Sequence, residues 1–63
     1  MNKRIFAAML AEKRKSQKEM SQELHIRPQR ISDMLSGRLM GWKYRSRIAR
    51  YLEIPEDVLF PEN

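Results

Sequence analysis

Local signals divide residues 16–38 into two short helices with a tight turn between them. Ser16 is followed three residues later by Glu19, which is the spacing of a capping box that starts a helix. Pro28 is favoured at the first position of a helix and pushes the residue before it out of the helical conformation. Gly37 suits the left-handed conformation that ends a helix. We therefore predict one helix opened by Ser16 and another that begins at Pro28.

The apolar residues of this segment recur at helical spacing, which indicates one buried stripe on each helix. The turn between the helices is predicted at residues 25–27. The residues predicted to face the core are Met20, Leu24, Ile26, Ile31, Met34 and Leu35.

The second of these helices is expected to carry a polar outer face. At 100° per residue, Gln29, Asp33 and Ser36 point away from the apolar stripe, and Ser32 lies at the margin. Short hydrogen-bonding side chains of this kind are what the reading of base edges in a DNA groove requires. A solvated helix face would carry more Lys and Glu, so the pattern favours readout.

The rest of the chain is predicted to be helical as well, which gives an all-α fold with a single domain over residues 1–63. The first helix is expected to begin after the N-cap Asn2 and to end at about Arg14. A fourth helix is predicted over about 43–52, and a short fifth helix begins at Pro55.

Composition limits the function. The chain has no cysteine and one histidine, His25, which we interpret as a turn residue rather than a metal ligand. No nucleophile has an oriented base beside it, so we do not expect an enzyme. No cofactor, metal or small-molecule substrate is expected. No apolar run approaches the ~20 residues that span a bilayer, so we expect a cytoplasmic protein without a membrane partner.

The charge is distributed unevenly along the chain. Residues 1–50 contain all 13 Lys and Arg and four acids, a net +9, whereas residues 51–63 contain four acids and no base, a net −4. A basic surface suits a polyanion, because binding to phosphates releases condensed counterions. A solubilising charge shell would have the same composition.

The chain resembles the Cro and repressor family of lambdoid phages, also called XRE-type. The resemblance covers about residues 6–60 and implies a compact, lambda-repressor-like fold of five helices, with a helix-turn-helix at about 16–37 formed by helices two and three. The matching pieces are Gln17, Ile26, Gln29-Arg30-Ile31, Ser36-Gly37, Ile48-Ala49 with Leu52 and Ile54, and Asp57-Val58-Leu59.

The resemblance implies a role in binding double-stranded operator DNA. Gln29 would read a base edge, with adenine as the natural partner of its amide. Asp33 also faces bases, where its carboxylate would accept from cytosine, and Ser32 and Ser36 complete the base-contacting face. Gln17 would hold a phosphate at the N-terminus of helix two. Further phosphate contacts are expected from Arg27, Arg30, Arg38, Lys43 and Arg45.

The chain departs from the family pattern in three respects. His25 stands where the family turn has a left-handed glycine, at a cost of about 1 kcal/mol. Pro28 replaces a polar residue that is able to touch DNA. Leu10 and Leu35 stand where many relatives have a buried Arg–Glu pair, and well-packed apolar residues replace such pairs without loss of stability.

Several residues leave two interpretations open. Trp42 and Tyr44 would either stack on single-stranded bases or, as we favour, anchor helix four to the core. Arg47 and Arg50 would either meet DNA or form a solvated face. Residues Ile54, Val58 and Phe60 would either finish the core or form the interface of a weak or DNA-induced homodimer.

The leading interpretation is a phage or prophage Cro-like transcriptional regulator, a repressor, that reads the major groove with helix three. One alternative is the antitoxin of a toxin–antitoxin pair. Another is a protein-interaction module on the same fold, which Asp33 and Pro28 favour and the basic residues beside helix three oppose.

Overall fold

The computed structural model describes residues 1–61, in which every regular element is helical and no strand occurs. The chain folds around one apolar core with a radius of gyration of 10.4 Å, so the all-α prediction is confirmed for this part. The five helices are α1 (Lys3–Glu12), α2 (Gln17–Leu24), α3 (Pro28–Ser36), α4 (Trp42–Leu52) and α5 (Glu56–Leu59).

Side-chain caps start the first two helices. Asn2 Oδ1 accepts from the Ile5 amide at 3.0 Å. Ser16 Oγ accepts from the Glu19 amide at 3.0 Å, and Glu19 Oε1 accepts from the Ser16 amide at 2.8 Å. These bonds satisfy amides that have no partner within the helix, and the predicted capping box is confirmed.

The connection from α2 to α3 also agrees with the prediction. His25 adopts the left-handed conformation with φ +57°, Ile26 is buried in the core, and α3 begins at Pro28. α3 ends at Gly37, whose φ is +87°. The tight turn fixes the direction in which α3 leaves α2.

α1 is shorter than predicted. It ends at Glu12 rather than at Arg14, because Arg14 itself takes a left-handed conformation with φ +57°. The Lys15 amide then donates to the Leu10 carbonyl at 3.0 Å, which closes the end of the helix. The chain therefore turns about two residues earlier than predicted.

The core contains the apolar stripes of all five helices. Leu10 is buried in it and Leu35 packs against it, so apolar side chains occupy both positions discussed above. The fully buried or nearly buried apolar residues are Phe6, Leu10, Met20, Ile26, Ile31, Met34, Ile48, Ala49, Leu52, Leu59 and Phe60.

The end of the chain folds back on its beginning. α5 starts at Glu56 with Pro55 as its N-cap, and Leu59 and Phe60 insert into the core. The Asn2 amide donates to the Leu59 carbonyl at 2.8 Å. Of the helices in residues 1–61, none has the length and apolar character needed to cross a membrane.

Candidate nucleic-acid interface

The outer face of α3 carries the four polar residues that the sequence placed there. Ile31 and Met34 are 0% and 1% exposed and fix the inner side of the helix. The opposite side presents Gln29, Ser32 and Ser36 as exposed residues and Asp33 as a half-buried one. We call these four residues the α3 outer face.

Two of these side chains are joined. Gln29 Nε2 donates to Asp33 Oδ1 at 3.0 Å, and Ser36 Oγ donates to the Asp33 carbonyl at 3.1 Å. An amide carries two N–H donors and one acceptor oxygen. One N–H and the oxygen of the Gln29 amide are therefore available to a ligand. One acceptor site of the Asp33 carboxylate is occupied by Gln29.

Exposed cations border this face, and we call Arg27, Arg30, Arg38 and Lys43 the basic flank. None of the four forms an ion pair with a carboxylate of residues 1–61. The ammonium of Lys43 lies 5.6 Å from the centre of the Tyr44 ring, which leaves its charge in solvent. The basic flank is available to an anionic partner.

Two other cations are paired with carboxylates at the protein surface. Lys13 Nζ lies 3.1 Å from Glu53 Oε2, and Lys15 Nζ lies 2.7 Å from Glu23 Oε2. Glu23 Oε1 also accepts from the Tyr51 hydroxyl at 2.8 Å. These contacts tie α2 to α4 and to the segment after α1.

The Glu23 contacts change the ionisation of the groups involved. The hydrogen bond from Lys15, and then that from Tyr51, lowers the pKa of Glu23 below its ordinary value. The same bond to Glu23 raises the pKa of Lys15. Burial, and then the bond to Glu23, raises the pKa of the Tyr51 hydroxyl. The ion pair is thus favoured over the neutral pair at neutral pH.

Gln17 is the first residue of α2 and is half-buried. It lines a groove together with Lys3, Lys15 and Leu35, the last of which belongs to α3. Most of the other residues of this groove belong to α1, so Gln17 lies beside α1 and near one residue of α3, at the positive end of a helix dipole.

The structure contradicts the phosphate-binding role predicted for Arg45. Its side chain is 1% exposed, and its guanidinium lies 3.9 Å from the centre of the Trp42 ring and 4.5 Å from that of Phe60. Arg45 Nε donates to the Met40 carbonyl at 3.1 Å. Cation–π contacts and this hydrogen bond hold the charge in the interior, so it is out of reach of a phosphate.

The prediction for the aromatic residues of α4 is half correct. Tyr44 packs against the core, whereas Trp42 is 63% exposed and lies against the Arg45 guanidinium. Trp42 lies in an open groove of about 510 Å³. The other residues that line the groove are Arg30, Arg38, Leu39, Met40, Gly41, Lys43 and Tyr44. We call it the Trp42 groove.

The predicted dimer residues separate in the structure. Val58 is 43% exposed and Ile54 is half-buried, so both reach the surface. Phe60 is 1% exposed, and its place in an interface is wrong because its ring packs on Arg45 in the core.

One contact that orients these elements could not be recognised from the sequence. The guanidinium of Arg47, on α4, donates to the Leu24 carbonyl at the end of α2. That bond satisfies a carbonyl that has no partner within α2. Arg47 therefore ties α4 to the end of α2, and both Arg47 and Arg50 are exposed.

The described residues contain no group of three or more His, Asp or Glu side chains placed to share a metal ion. Comparisons with protein-family models, with curated proteins and with solved structures find no match to this chain.

Proposed function

We propose that this protein is a sequence-specific regulator of transcription, a Cro-like repressor, that binds double-stranded operator DNA. In this proposal α2, the turn and α3 form a helix-turn-helix, and α3 enters the major groove. The observation that carries the proposal is the α3 outer face, whose hydrogen-bonding side chains share α3 and its adjoining segments with the exposed cations of the basic flank.

The chemistry of the α3 outer face suits the major groove, where each base pair presents its own pattern of donors and acceptors. The free N–H and oxygen of Gln29 match adenine N7 and N6. The hydroxyls of Ser32 and Ser36 accept or donate, and the remaining acceptor capacity of Asp33 suits cytosine N4. The face therefore supplies the groups that discriminate between sequences.

The basic flank suits the backbone on each side of the groove. Guanidinium and ammonium groups that neutralise phosphates supply affinity without sequence information. Gln17, at the N-terminus of α2, adds a side-chain donor beside a helix dipole. Arg45 has no part in this contact.

In this proposal the protein acts in the cytoplasm of a bacterium or of a phage-infected cell. It acts by occupying DNA and needs neither a cofactor nor catalysis. A weak or DNA-induced dimer through Val58 and Ile54 would place two α3 helices ~34 Å apart, one turn of DNA.

A second candidate function is a protein-interaction module that uses the same face. The observation in its favour is the Asp33 carboxylate at the centre of the α3 outer face, because a negative charge repels phosphates. The basic flank opposes it.

Selection of bound duplexes from a random-sequence pool at about physiological salt tests the proposal. We expect an enriched motif, and a pseudo-palindrome with half-sites one helical turn apart if the protein binds as a dimer. The absence of any enriched sequence would overturn the regulator and favour the interaction module.

A further inference from the structure

The outer face of Trp42 has no partner within residues 1–61, although the residue is firmly placed. It is the only tryptophan of the chain, and 63% of it is exposed. Its inner face lies on the Arg45 guanidinium, which is itself fixed by the Phe60 ring and the Met40 carbonyl. A large apolar ring is thus held in water with one face covered and the other open.

The loop that presents Trp42 has a fixed path. Gly41 has φ +64°, and a Cβ at this position would lie 2.5 Å from two atoms of Met34. The backbone therefore passes against the core immediately before Trp42. Gly41 is the N-cap of α4 but carries no side-chain oxygen, so the first amides of that helix are not capped by a side chain.

Cationic side chains surround the Trp42 ring, and they come from α3, from the segment after it and from α4. Arg30 follows Gln29 on α3, Arg38 follows Gly37 at the end of the same helix, and Lys43 follows Trp42. All three basic residues line the Trp42 groove. A ligand with an apolar face between two negative charges would match this arrangement.

We infer that Trp42 packs on the deoxyribose of a DNA backbone, between phosphates held by Arg38 and Lys43. This inference rests on the proposed function, because a duplex seated on α3 runs one strand along the neighbouring groove. In a duplex the bases are stacked and paired, so the rim of the major groove offers sugars and phosphates. The ring meets the carbon face of the sugar, and the cations meet the phosphates.

The chain contains the probe for this contact, since all tryptophan fluorescence comes from Trp42. A selected duplex labelled with a dye that does not accept energy from tryptophan reports binding by its anisotropy. Acrylamide quenching, which does not depend on charge, reports the exposure of Trp42. At saturation we expect the quenching constant to fall by about half, because the remaining open face becomes covered.

The outcomes separate the two claims. Saturable binding of the duplex with unchanged quenching would overturn the Trp42 contact but would not contradict the proposed function. Absence of binding to any duplex would overturn both. Equal affinity and equal protection with the single strand of the same sequence would also overturn the contact to a duplex sugar, because it would indicate stacking on bases.

Substitution gives an independent test. Trp42→Ala should weaken binding to every duplex by about fivefold, without changing the base preference or the salt dependence, because the ring carries no charge. Trp42→Phe keeps a ring over Arg45 and should retain most of the affinity. The matched control is Gln22→Ala, which removes an exposed uncharged side chain outside the Trp42 groove and outside the proposed dimer interface.

A circular-dichroism melt of each variant shows whether it is folded. Full affinity in a folded Trp42→Ala variant would contradict the inference. If Trp42→Ala does not fold, the quenching experiment decides.

Discussion

The side-chain amide of Gln29 donates to the carboxylate of Asp33 one turn further along α3, with Nε2 and Oδ1 3.0 Å apart. Such a pair stabilises a helix by only about 0.2–0.5 kcal/mol. Its importance lies in orientation, since it fixes which groups of Gln29 are free. In the proposed complex, Asp33 therefore acts partly through Gln29.

Gln29→Ala should weaken binding to the selected site by roughly 1–3 kcal/mol and relax the preference at one base pair. The reason is that, in the proposed complex, this amide makes two hydrogen bonds to a base. Competition binding against duplexes that are changed at single positions measures both effects. Unchanged affinity and preference would show that α3 does not present this face to DNA.

Asp33→Ala should relax the preference at the base pair that Gln29 reads, because the amide loses its support. Asp33→Asn keeps an acceptor oxygen and removes the charge, so it should retain that preference and bind all duplexes more tightly. The same competition assay, combined with the double variant, gives the coupling energy of the pair. A preference lost only at a different base pair would mean that Asp33 reads that base pair directly.

Lys43→Ala should weaken binding to every duplex and reduce the slope of log K against log salt by about 1, because one phosphate contact is lost. Anisotropy titrations over a range of salt concentrations measure the slope. The control is Lys13→Ala, since the Lys13 ammonium is already paired with Glu53. Equal changes in the two slopes would contradict the placement of the DNA beside α4.

Gly41→Ala should lower the free energy of unfolding by about 3 kcal/mol. A left-handed conformation costs an L-residue about 1–2 kcal/mol, and the new Cβ must also displace Met34. Gly37→Ala is the matched control, because Gly37 has φ +87° but open space around it, so only the first cost of about 1–2 kcal/mol applies. Urea unfolding followed by circular dichroism compares them, and equal losses would mean that Met34 moves freely.

Glu23→Gln should destabilise the protein at neutral pH, and the difference from the unsubstituted chain should shrink as the pH falls. The pKa of Glu23 is lower in the folded chain than in the unfolded chain, so its contribution is present above the unfolded pKa. That contribution is lost as the pH falls through the folded pKa, below the ordinary glutamate range of about 4.

Unfolding free energies between pH 7 and pH 3 check this expectation. In a Lys15→Ala background the effect of Glu23→Gln should be smaller, since the main cause of the lowered pKa is gone. A difference that is constant from pH 7 to pH 3 would be incompatible with the ion pair.

Local signals in the sequence predicted the beginning of α2, the turn and the inner side of α3. Ser16 with Glu19, Pro28 and Gly37 act on their immediate neighbours, so their effects need no knowledge of the rest of the fold. The outer face of α3 followed from the same periodicity. Its binding role stays a prediction.

Packing between distant segments could not be predicted in the same way. Arginine is mostly exposed and tryptophan mostly buried, yet Arg45 lies inside and Trp42 outside, because the Phe60 ring covers the guanidinium from another part of the chain. Phe60 was considered for a dimer interface because the sequence does not show that its ring packs on Arg45 in the core.

The hydrogen bond from the Asn2 amide to the Leu59 carbonyl brings the first turn of α1 to the last turn of α5. A short linker is therefore long enough to join the two ends of the fold, and a circular permutant should close without distortion. New ends placed between α4 and α5 would leave the α3 outer face and the Trp42 groove intact. In such a permutant the packing between the helices, and not their order along the chain, would hold the fold together.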